Sequence, residues 1–377
     1  MHKTHERALD ALARRGRRRV LAAPAGADFT SNDYLGLAAS RELRDAARAA
    51  LEREVPIGAG GSRLLRGNHR EHEALEAEAA AFFGAQSALF LGSGFAANLA
   101  LFSTLPQRGD LIVHDALIHA SVHDGMRASK AERAEAHHND AQAFEDAVMD
   151  WRAAGGTGTP WIAVESLYSM DGDRAPLADL MEVADRHEGM LVIDEAHATG
   201  VFGPDGRGLG AGLEGRANVV SLHTCGKALG VMGALILGPQ ALRDYLVNRG
   251  RPFIYATAPS PLVAALVRAA LLICRFDSGR RERLHKLAAV GARLLEEHCG
   301  VTASGSQIQP VIVGADERAV RLASAMQARG FDVRAVRPPT VPEGTARLRL
   351  SWTLNVDAAC VEAMTAALAE ELERLAP

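Results

Sequence analysis

The chain has 377 residues, of which 48% are hydrophobic, so it can bury a large core and has the length of about two domains. Its formal net charge of -4 argues against a chain-wide basic surface for nucleic acid. Residues 1–20 contain no apolar stretch typical of a signal peptide, and the longest apolar run, 261–273, is interrupted by Arg268. We therefore expect a cytoplasmic protein without a membrane span.

Cysteine and lysine are both scarce. The cysteines form no Cys-x-x-Cys pair, so we expect neither a zinc site nor a disulfide framework, and no metal. Positive charge is carried almost entirely by arginine, and lysine occurs only at Lys3, Lys130, Lys227 and Lys286. A reaction that requires a lysine amine therefore has few candidates.

Helices and short apolar strands alternate along the first two thirds of the chain. Apolar residues recur at helical spacing in 43–50 and 71–83, and Gly84 stands where the second helix should end. The pattern then predicts a strand at 87–91, a Gly-Ser-Gly turn and a helix at 95–105. Further short apolar runs predict strands at 111–113, 161–164, 191–193, 219–222 and 234–237. After an N-terminal segment (1–40), we predict a large α/β domain with a mostly parallel sheet at 41–260.

The pattern changes after Pro259. Two helices are predicted around 262–276 and 283–298, followed by strands and helices that end in a closing helix. The predicted strands are 309–314, 331–336 and 346–352, with a helix at 316–329. Residues 261–377 are therefore predicted to form a smaller C-terminal α/β domain.

Polar groups follow several predicted strands of the large domain. Gly-Ser-Gly at 92–94 opens a helix, Asp194 and His197 follow the strand 191–193, and Lys227 follows 219–222. In open α/β sheets, ligands bind beyond the carboxyl ends of the strands. We expect these groups to lie on one rim of the sheet.

This set of groups suits pyridoxal 5′-phosphate (PLP). A glycine-rich helix N-terminus binds the dianionic phosphate. A carboxylate such as Asp194 keeps the pyridine nitrogen protonated, and a partly buried lysine such as Lys227 forms a Schiff base with the aldehyde. Taken alone, each group has a plainer interpretation: a solvated loop lysine, a helix-capping aspartate, an ordinary turn, a structural histidine. Their occurrence in order on one predicted rim favours the PLP site.

Two other motifs suggest nucleotides but are incomplete. Residues 194–197 spell Asp-Glu-Ala-His, as in some helicases, yet the phosphate-binding loop that such enzymes need is missing. Gly226–Lys227 is preceded by Ser221 where the first glycine belongs and is followed by Ala228. Gly-Ala-Gly-Gly at 58–61 follows no clear strand, so a dinucleotide site is weakly supported.

Long motifs extend over nearly the whole chain. They include SNDYLGL (31–37), GAGGSRLLRGNHREHEALE (58–76), DEAHATGVFG (194–203), TCGK (224–227) and RPPTVPEGTARLRL (337–350). With these motifs the chain resembles the α-oxoamine synthases, which are PLP-dependent enzymes of fold type I. The resemblance implies a homodimer that condenses an amino acid with an acyl thioester and releases CO2.

The resemblance also implies roles for residues around the cofactor. Lys227 would form the Schiff base, Asp194 would contact the pyridine nitrogen, and His197 the phenolic oxygen. His119 would stack on the ring and act in catalysis. The further cofactor contacts implied are Gly94, Phe95 (where tyrosine is also common), Ser169, Thr224 and Thr257, the last reaching the partner subunit's cofactor.

Substrate contacts follow in the same way. Asn32 and Thr340 resemble residues near the substrate, and Arg17, in a run of arginines that also reads as a solvated helix end, would meet the far end of the acyl substrate. Strand alternation places Arg347 and Arg349 on one face and does not choose between them as the ligand of the amino-acid carboxylate. The resemblance favours Arg349.

The motifs at 308–314 and 337–350 are similar to those of the family member that joins L-alanine to a pimeloyl thioester, carried by coenzyme A or acyl-carrier protein, in biotin biosynthesis. A sister enzyme would use glycine or serine with another acyl-CoA. A PLP-binding protein without turnover would lack the lysine or the acid, and both are present.

Overall fold

The computed structural model describes residues 2–375. The contacts divide the chain into two compact units. The larger comprises Leu35–Ser169 and Arg174–Arg281, and the smaller comprises the residues up to Tyr34, Met170–Asp173 and the chain from Glu282 onward. Among residues 2–375, no helix combines the length and apolar character that crossing a bilayer requires.

Thirteen α-helices occur in the described part of the chain: α1 (Lys3–Arg14), α2 (Arg41–Glu52), α3 (Arg70–Phe83), α4 (Gly94–Thr104), α5 (Ala120–Ala128), α6 (Ala141–Ala153), α7 (Leu177–Arg186), α8 (Gln240–Arg249), α9 (Arg251–Ile254), α10 (Pro261–Phe276), α11 (Ser278–Cys299), α12 (Asp316–Ala328) and α13 (Ala358–Arg374). The strands are β1 (Ala27–Asp28), β2 (Ser87–Leu91), β3 (Leu111–Asp115), β4 (Glu132–Ala136), β5 (Pro160–Glu165), β6 (Met190–Asp194), β7 (Val219–Thr224), β8 (Ala234–Gly238), β9 (Ile308–Gly314), β10 (Phe331–Asp332), β11 (Ala335–Val336) and β12 (Ala346–Ser351).

The larger unit is built on a seven-stranded sheet with the order β2-β8-β7-β6-β5-β3-β4. Strand β8 runs antiparallel to both of its neighbours, and the other pairings are parallel. The predicted mostly parallel sheet is therefore confirmed. Because the parallel strands are covered on both faces, they are continuous apolar runs rather than alternating ones.

Two apolar cores cover the faces of this sheet. Val192 of β6 packs in one core with residues of α4 and α5, whereas its neighbours Leu191 and Ile193 pack in the other with residues of α6 and α7. Successive side chains of a strand point to opposite faces, which explains the division. The sheet is thus held between two helical layers, and its carboxyl edge is left to the loops.

Local signals place the helix that opens at this edge. The Ser93 hydroxyl accepts a hydrogen bond from Ala96 N at 3.1 Å and so caps α4. The preceding helix, α3, ends at Gly84, whose φ of +87° is a left-handed conformation that favours glycine. Between them lies β2, so the chain passes from helix to strand to helix within a few residues.

The smaller unit contains an antiparallel sheet in which β12 lies between β11 and β9. The prediction of one strand at 331–336 is wrong. This segment forms two short strands, because β10 pairs with β1 while β11 pairs with β12. The predicted strand 346–352 and closing helix correspond to β12 and α13.

The contacts divide the chain at a different place from the predicted boundary at 260/261. Helix α10 begins at Pro261 and packs on α2 and α3, with Ala265 in an apolar cluster with Ala50 and Val55. For that reason α10 belongs to the larger unit by contacts. The division into 1–40, 41–260 and 261–377 as folding domains stays a prediction.

Candidate active site

A cavity of about 170 Å³ lies at the carboxyl edge of the large sheet. The ends of β5, β6 and β7 and the N-termini of α4 and α5 form its walls. The lining residues are Gly94, Phe95, Asn98, His119, Ser121, Glu165, Asp194, Ala196, His197, Leu222, Thr224 and Lys227. The structure therefore brings together most of the cofactor-site residues that the sequence predicted.

Asp194 ends β6 and is buried, with 6% of its surface exposed. Asn98 Nδ2 donates to its Oδ2 at 2.8 Å, and Ala196 N donates to its Oδ1 at 2.9 Å. Each carboxylate oxygen thus receives a hydrogen bond, which stabilises the charged form of a buried acid. The side chain is suited to hold a negative charge in the cavity.

Lys227 follows β7 by a short turn and is half-buried. Its Nζ lies 2.7 Å from His197 Nε2, the distance of a hydrogen bond. The turn is shaped by Thr224, whose Oγ1 donates to Gly233 O at 3.3 Å. The amine is therefore held in the cavity, against an imidazole, by the turn after β7.

His119 caps α5 at the other side of the cavity. Ser121 N donates to His119 Nδ1 at 3.2 Å, and Ser121 Oγ lies 2.7 Å from the same nitrogen. Since Nδ1 accepts from the backbone, the neutral ring carries its proton on Nε2. Desolvation lowers the pKa of His119, and the Lys227 charge lowers it further, against the opposite effect of Asp194. His119 is exposed, and a pKa below the ordinary 6.5 leaves its ring neutral at pH 7.

Three polar residues of the lining were missed by the sequence analysis as site residues. Asn98 Nδ2 also donates to Ser121 Oγ at 3.0 Å, so Asn98 and Ser121 connect Asp194 to His119. Asn98 lies four positions after Gly94, on the same face of α4. Its amide among the apolar residues of the first nine positions of α4 was the available signal. The third, Glu165, ends β5 beside Asp194 in the sheet.

Burial and the nearby Asp194 charge raise the pKa of Glu165 to about 8. Its Oε2 accepts a hydrogen bond from Ser169 N at 3.1 Å. Ser169, predicted to contact the cofactor, is buried behind this carboxyl and is not part of the lining. Thr257 lies exposed in the segment between α9 and α10 and does not line this cavity either.

Glu195 follows Asp194 in the Asp-Glu-Ala-His segment but has a different environment. Ser166 Oγ donates to its Oε2 at 2.7 Å, Leu209 N donates to the same oxygen at 3.1 Å, and Gly210 N donates to Oε1. Through these hydrogen bonds, this fully buried side chain connects the end of β6 to the turn at 208–210. Its role in the structure is to connect backbone segments rather than to line the cavity.

In the smaller unit, Arg349 and Asn32 are connected through Tyr34. Arg349 Nη2 donates to the Tyr34 hydroxyl at 3.2 Å, and that hydroxyl donates to Asn32 Oδ1 at 3.0 Å. Arg349 Nη1 donates to Ser351 Oγ at 2.7 Å. Arg347, also buried, forms an ion pair with Asp171, so its charge is balanced by a carboxylate. The contacts therefore distinguish the two arginines that strand alternation left equivalent.

Arg17 and Thr340 line a second cavity, of about 160 Å³, within the smaller unit. Arg17 Nε lies 2.6 Å from Asp316 Oδ2, and its two terminal nitrogens donate to Glu343 at 2.9 and 2.7 Å. These carboxylates raise the pKa of the guanidinium. Arg17 would have to exchange a carboxylate partner in order to bind an acyl substrate.

Comparison with known proteins identifies the class. Residues 25–368 match the model of the aminotransferase class I and II family, and the chain belongs to this family. Together with its relatives, this match confirms the predicted α-oxoamine synthase resemblance and the fold of the type I PLP-dependent transferases.

Two kinds of relative are similar over most of the chain. 8-Amino-7-oxononanoate synthase of Chromobacterium violaceum is 42% identical over 368 residues, which are 94% of each chain. A solved 8-amino-7-oxononanoate synthase from Francisella tularensis has a TM-score of 0.78 at 27% identity, covering 93% of this chain and 98% of that one. Serine palmitoyltransferase from S. paucimobilis with bound PLP–myriocin aldimine has a TM-score of 0.89 at 25% identity, covering 99% and 98%.

Proposed function

We propose that this chain is a PLP-dependent acyltransferase that condenses L-alanine with a pimeloyl thioester to form 8-amino-7-oxononanoate, CO2 and a free thiol in biotin biosynthesis. The observation that carries the proposal is that Lys227, Asp194, His119 and His197 line one cavity. The similarity to curated 8-amino-7-oxononanoate synthases supports the choice of reaction.

The residues of the cavity fit PLP. The N-terminus of α4, an eleven-residue helix, supplies free backbone N–H groups for a phosphate, with Gly94 and Phe95 beside Thr224 in the lining. Asp194 is the charged acid for the pyridine nitrogen, and Lys227 is the amine for the aldehyde. Asn98 Oδ1, buried without a hydrogen-bond partner among residues 2–375, leaves polar capacity for a bound group. When bound, PLP supplies an electron sink that accepts the electron pair left at the substrate Cα.

The chain's own groups then move and hold protons. The Lys227 amine removes the Cα proton of alanine and returns a proton after CO2 is lost, which requires a neutral amine. The amine lies within hydrogen-bond distance of His197 Nε2, which holds it in the cavity. Both oxygens of Asp194 accept hydrogen bonds, which suit a carboxylate at this position. His119, neutral with its proton on Nε2, donates to oxygen atoms that develop charge.

We assign the substrate contacts within the smaller unit. Arg349 binds the alanine carboxylate, because its terminal nitrogens contact hydroxyl oxygens that a carboxylate can replace. Asn32, held by Tyr34, lies in the same network. Arg17 and Thr340 bind the far carboxylate of the pimeloyl chain, with Arg17 leaving Glu343, which is the more exposed of its two partners.

The assembly belongs to the same proposal. A homodimer is supported by the family resemblance, and in it Thr257 of each copy reaches the cofactor phosphate of the other. Its exposed position after α9 is consistent with a contact outside its own cavity. Ser169 would contact the cofactor only if its turn moved toward the lining. A cytoplasmic location is proposed from the sequence.

The direct test is product formation by the purified protein. L-Alanine with pimeloyl-CoA or with pimeloyl-acyl-carrier protein should yield 8-amino-7-oxononanoate, and the two donors should differ in kcat/KM. The fold similarity to serine palmitoyltransferase makes L-serine with palmitoyl-CoA the second pair to assay. Faster turnover of serine, or of glycine with acetyl-CoA, would assign the chain to a sister reaction.

A further inference from the structure

Two buried glutamates, Glu165 at the end of β5 and Glu195 just after β6, differ in the hydrogen bonds that their oxygens accept. Glu195 accepts hydrogen bonds at both oxygens, from Ser166, Leu209 and Gly210. Glu165 accepts one, from Ser169 N, and its Oε1 is buried without a hydrogen-bond partner among residues 2–375. A buried oxygen without a donor is unfavourable in a carboxylate and favourable in an acid whose O–H reaches a ligand. Of the two, Glu165 lines the cavity.

The negative charges near Glu165 also favour its protonated form. Asp194 faces it from β6, one strand away in register, and Asp115 lies at the end of β3 on its other side. Asp194 has a donor at each oxygen, and Asp115 accepts from Leu117 N, Asn139 N and His138. Among the leading influences on Glu165, the positive charge of Lys227 favours ionisation.

Two carboxyls at adjacent buried strand ends do not both ionise readily, since each charge raises the pKa of the other. The carboxyl with fewer hydrogen-bond donors, Glu165, is the one that favours the proton. Burial is the largest cause that raises the pKa of Glu165, followed by Asp194. On this basis Glu165 is the member of the pair that holds a proton at neutral pH.

We propose that Glu165 is a positioning residue that keeps a proton inside the cofactor cavity, so that Asp194 remains the one negatively charged side chain of the lining while Glu165 donates a hydrogen bond to the bound cofactor. The inference rests on the proposed PLP cofactor. Loss of this proton in alkaline solution places a second negative charge beside Asp194. That charge favours the protonated Lys227 amine, which cannot accept the Cα proton.

Infrared difference spectroscopy of the holoenzyme without substrate tests the proton directly. The wild-type protein should show a carboxylic acid C=O band that disappears with a midpoint near pH 8. Glu165→Gln should lack this band, and Asp140→Asn, the matched carboxyl-to-amide change at an exposed helix cap, should retain it. Absence of a titrating acid band, or its survival in Glu165→Gln, would overturn the proposal.

Cofactor affinity separates positioning from a purely structural role. Glu165→Gln retains a donor, so its Kd for PLP should stay within about threefold of wild type, whereas Glu165→Leu should bind about tenfold more weakly. The alkaline decline of kcat/KM should shift upward in Glu165→Gln only. Equal losses in both variants would indicate a structural role. A protein that shows the band but makes no product from any acyl donor would refute the proposed reaction and leave this inference intact.

Discussion

The Nζ atom of Lys227 lies 2.7 Å from Nε2 of His197. The two residues follow neighbouring strands, β7 and β6, so the parallel pairing of those strands sets the distance between them. The relationship places an amine within hydrogen-bond distance of an imidazole nitrogen. A change in the register of β6 against β7 would therefore change the distance between this amine and this imidazole.

Lys227→Ala should abolish covalent retention of PLP and lower kcat by about a thousandfold or more, because proton transfer by a positioned group contributes that order of rate enhancement. Borohydride reduction followed by mass spectrometry of peptides measures the attachment. Lys130→Ala, which changes an exposed lysine, is the control and should retain the cofactor. Undiminished turnover by Lys227→Ala would rule out the proposed mechanism.

Asn98→Ala should weaken PLP binding by about ten- to a hundredfold, because it removes a hydrogen bond to the charged Asp194 worth about 1.5–3 kcal/mol. Equilibrium titration of the apoprotein with PLP measures the effect. Asn248→Ala serves as control, since that exposed side chain donates to Asp244 O within α8. Equal affinities of the two variants would show that Asn98 does not support the acid.

Arg349→Lys should raise the KM for L-alanine about tenfold or more, because lysine cannot form the paired hydrogen bonds of a guanidinium with a carboxylate. Arg347→Lys should instead lower thermal stability by about 1–3 kcal/mol, because it disturbs the buried contact with Asp171. Steady-state kinetics and thermal unfolding distinguish the two. The reverse pattern would transfer the substrate contact to Arg347.

Glu165 should make stability depend on pH. The folded-state pKa of about 8 is above the ordinary 4.5, so between these values the folded state binds a proton that the unfolded state has released. Stability from this group is present at low pH and declines as pH rises, by at most about 1.4 kcal/mol per pH unit. Glu165→Gln should therefore gain stability relative to wild type from pH 5 to pH 8. Parallel denaturation curves across that range would contradict the raised pKa.

Gly208→Ala should destabilise the protein by about 1–3 kcal/mol. Gly208 has φ of +102°, and an added Cβ would lie 2.5 Å from Glu195 Oε2. Gly212→Ala is the control, because a Cβ there meets no atom within 4 Å and the φ is not left-handed. Thermal unfolding measures both. A shift in melting temperature of the same size for the two variants would mean that the contact with Glu195 is unimportant.

The central strands were predictable because they are buried on both faces and therefore form continuous apolar runs, as in β5 and β6. Strand β4 was not predicted. Its sequence is Glu-Arg-Ala-Glu-Ala, and it is largely exposed at the edge of the sheet, where it pairs with β3. The local sequence of an edge strand carries little of the information that places it.

The part of the site formed by residues that directly follow strands was predictable from the sequence. Asp194 and Lys227 follow strands directly, and the rule that ligands bind at the carboxyl edge brings them together. The partners of Arg17 were not predictable, because Asp316 and Glu343 are about three hundred residues away along the chain and reach it only through the fold. Charge balance of this kind depends on tertiary packing.

Through Glu195, the turn at 208–210 can affect the position of cavity residues although the turn does not line the cavity. The Glu195 carboxyl accepts hydrogen bonds from Leu209 N and Gly210 N. Glu195 directly follows Asp194 in the sequence and stands two positions before His197. A replacement in this turn would therefore tilt the acid and the imidazole without altering any wall of the cavity. A search for variants with altered cofactor affinity should include this remote loop as well as the pocket.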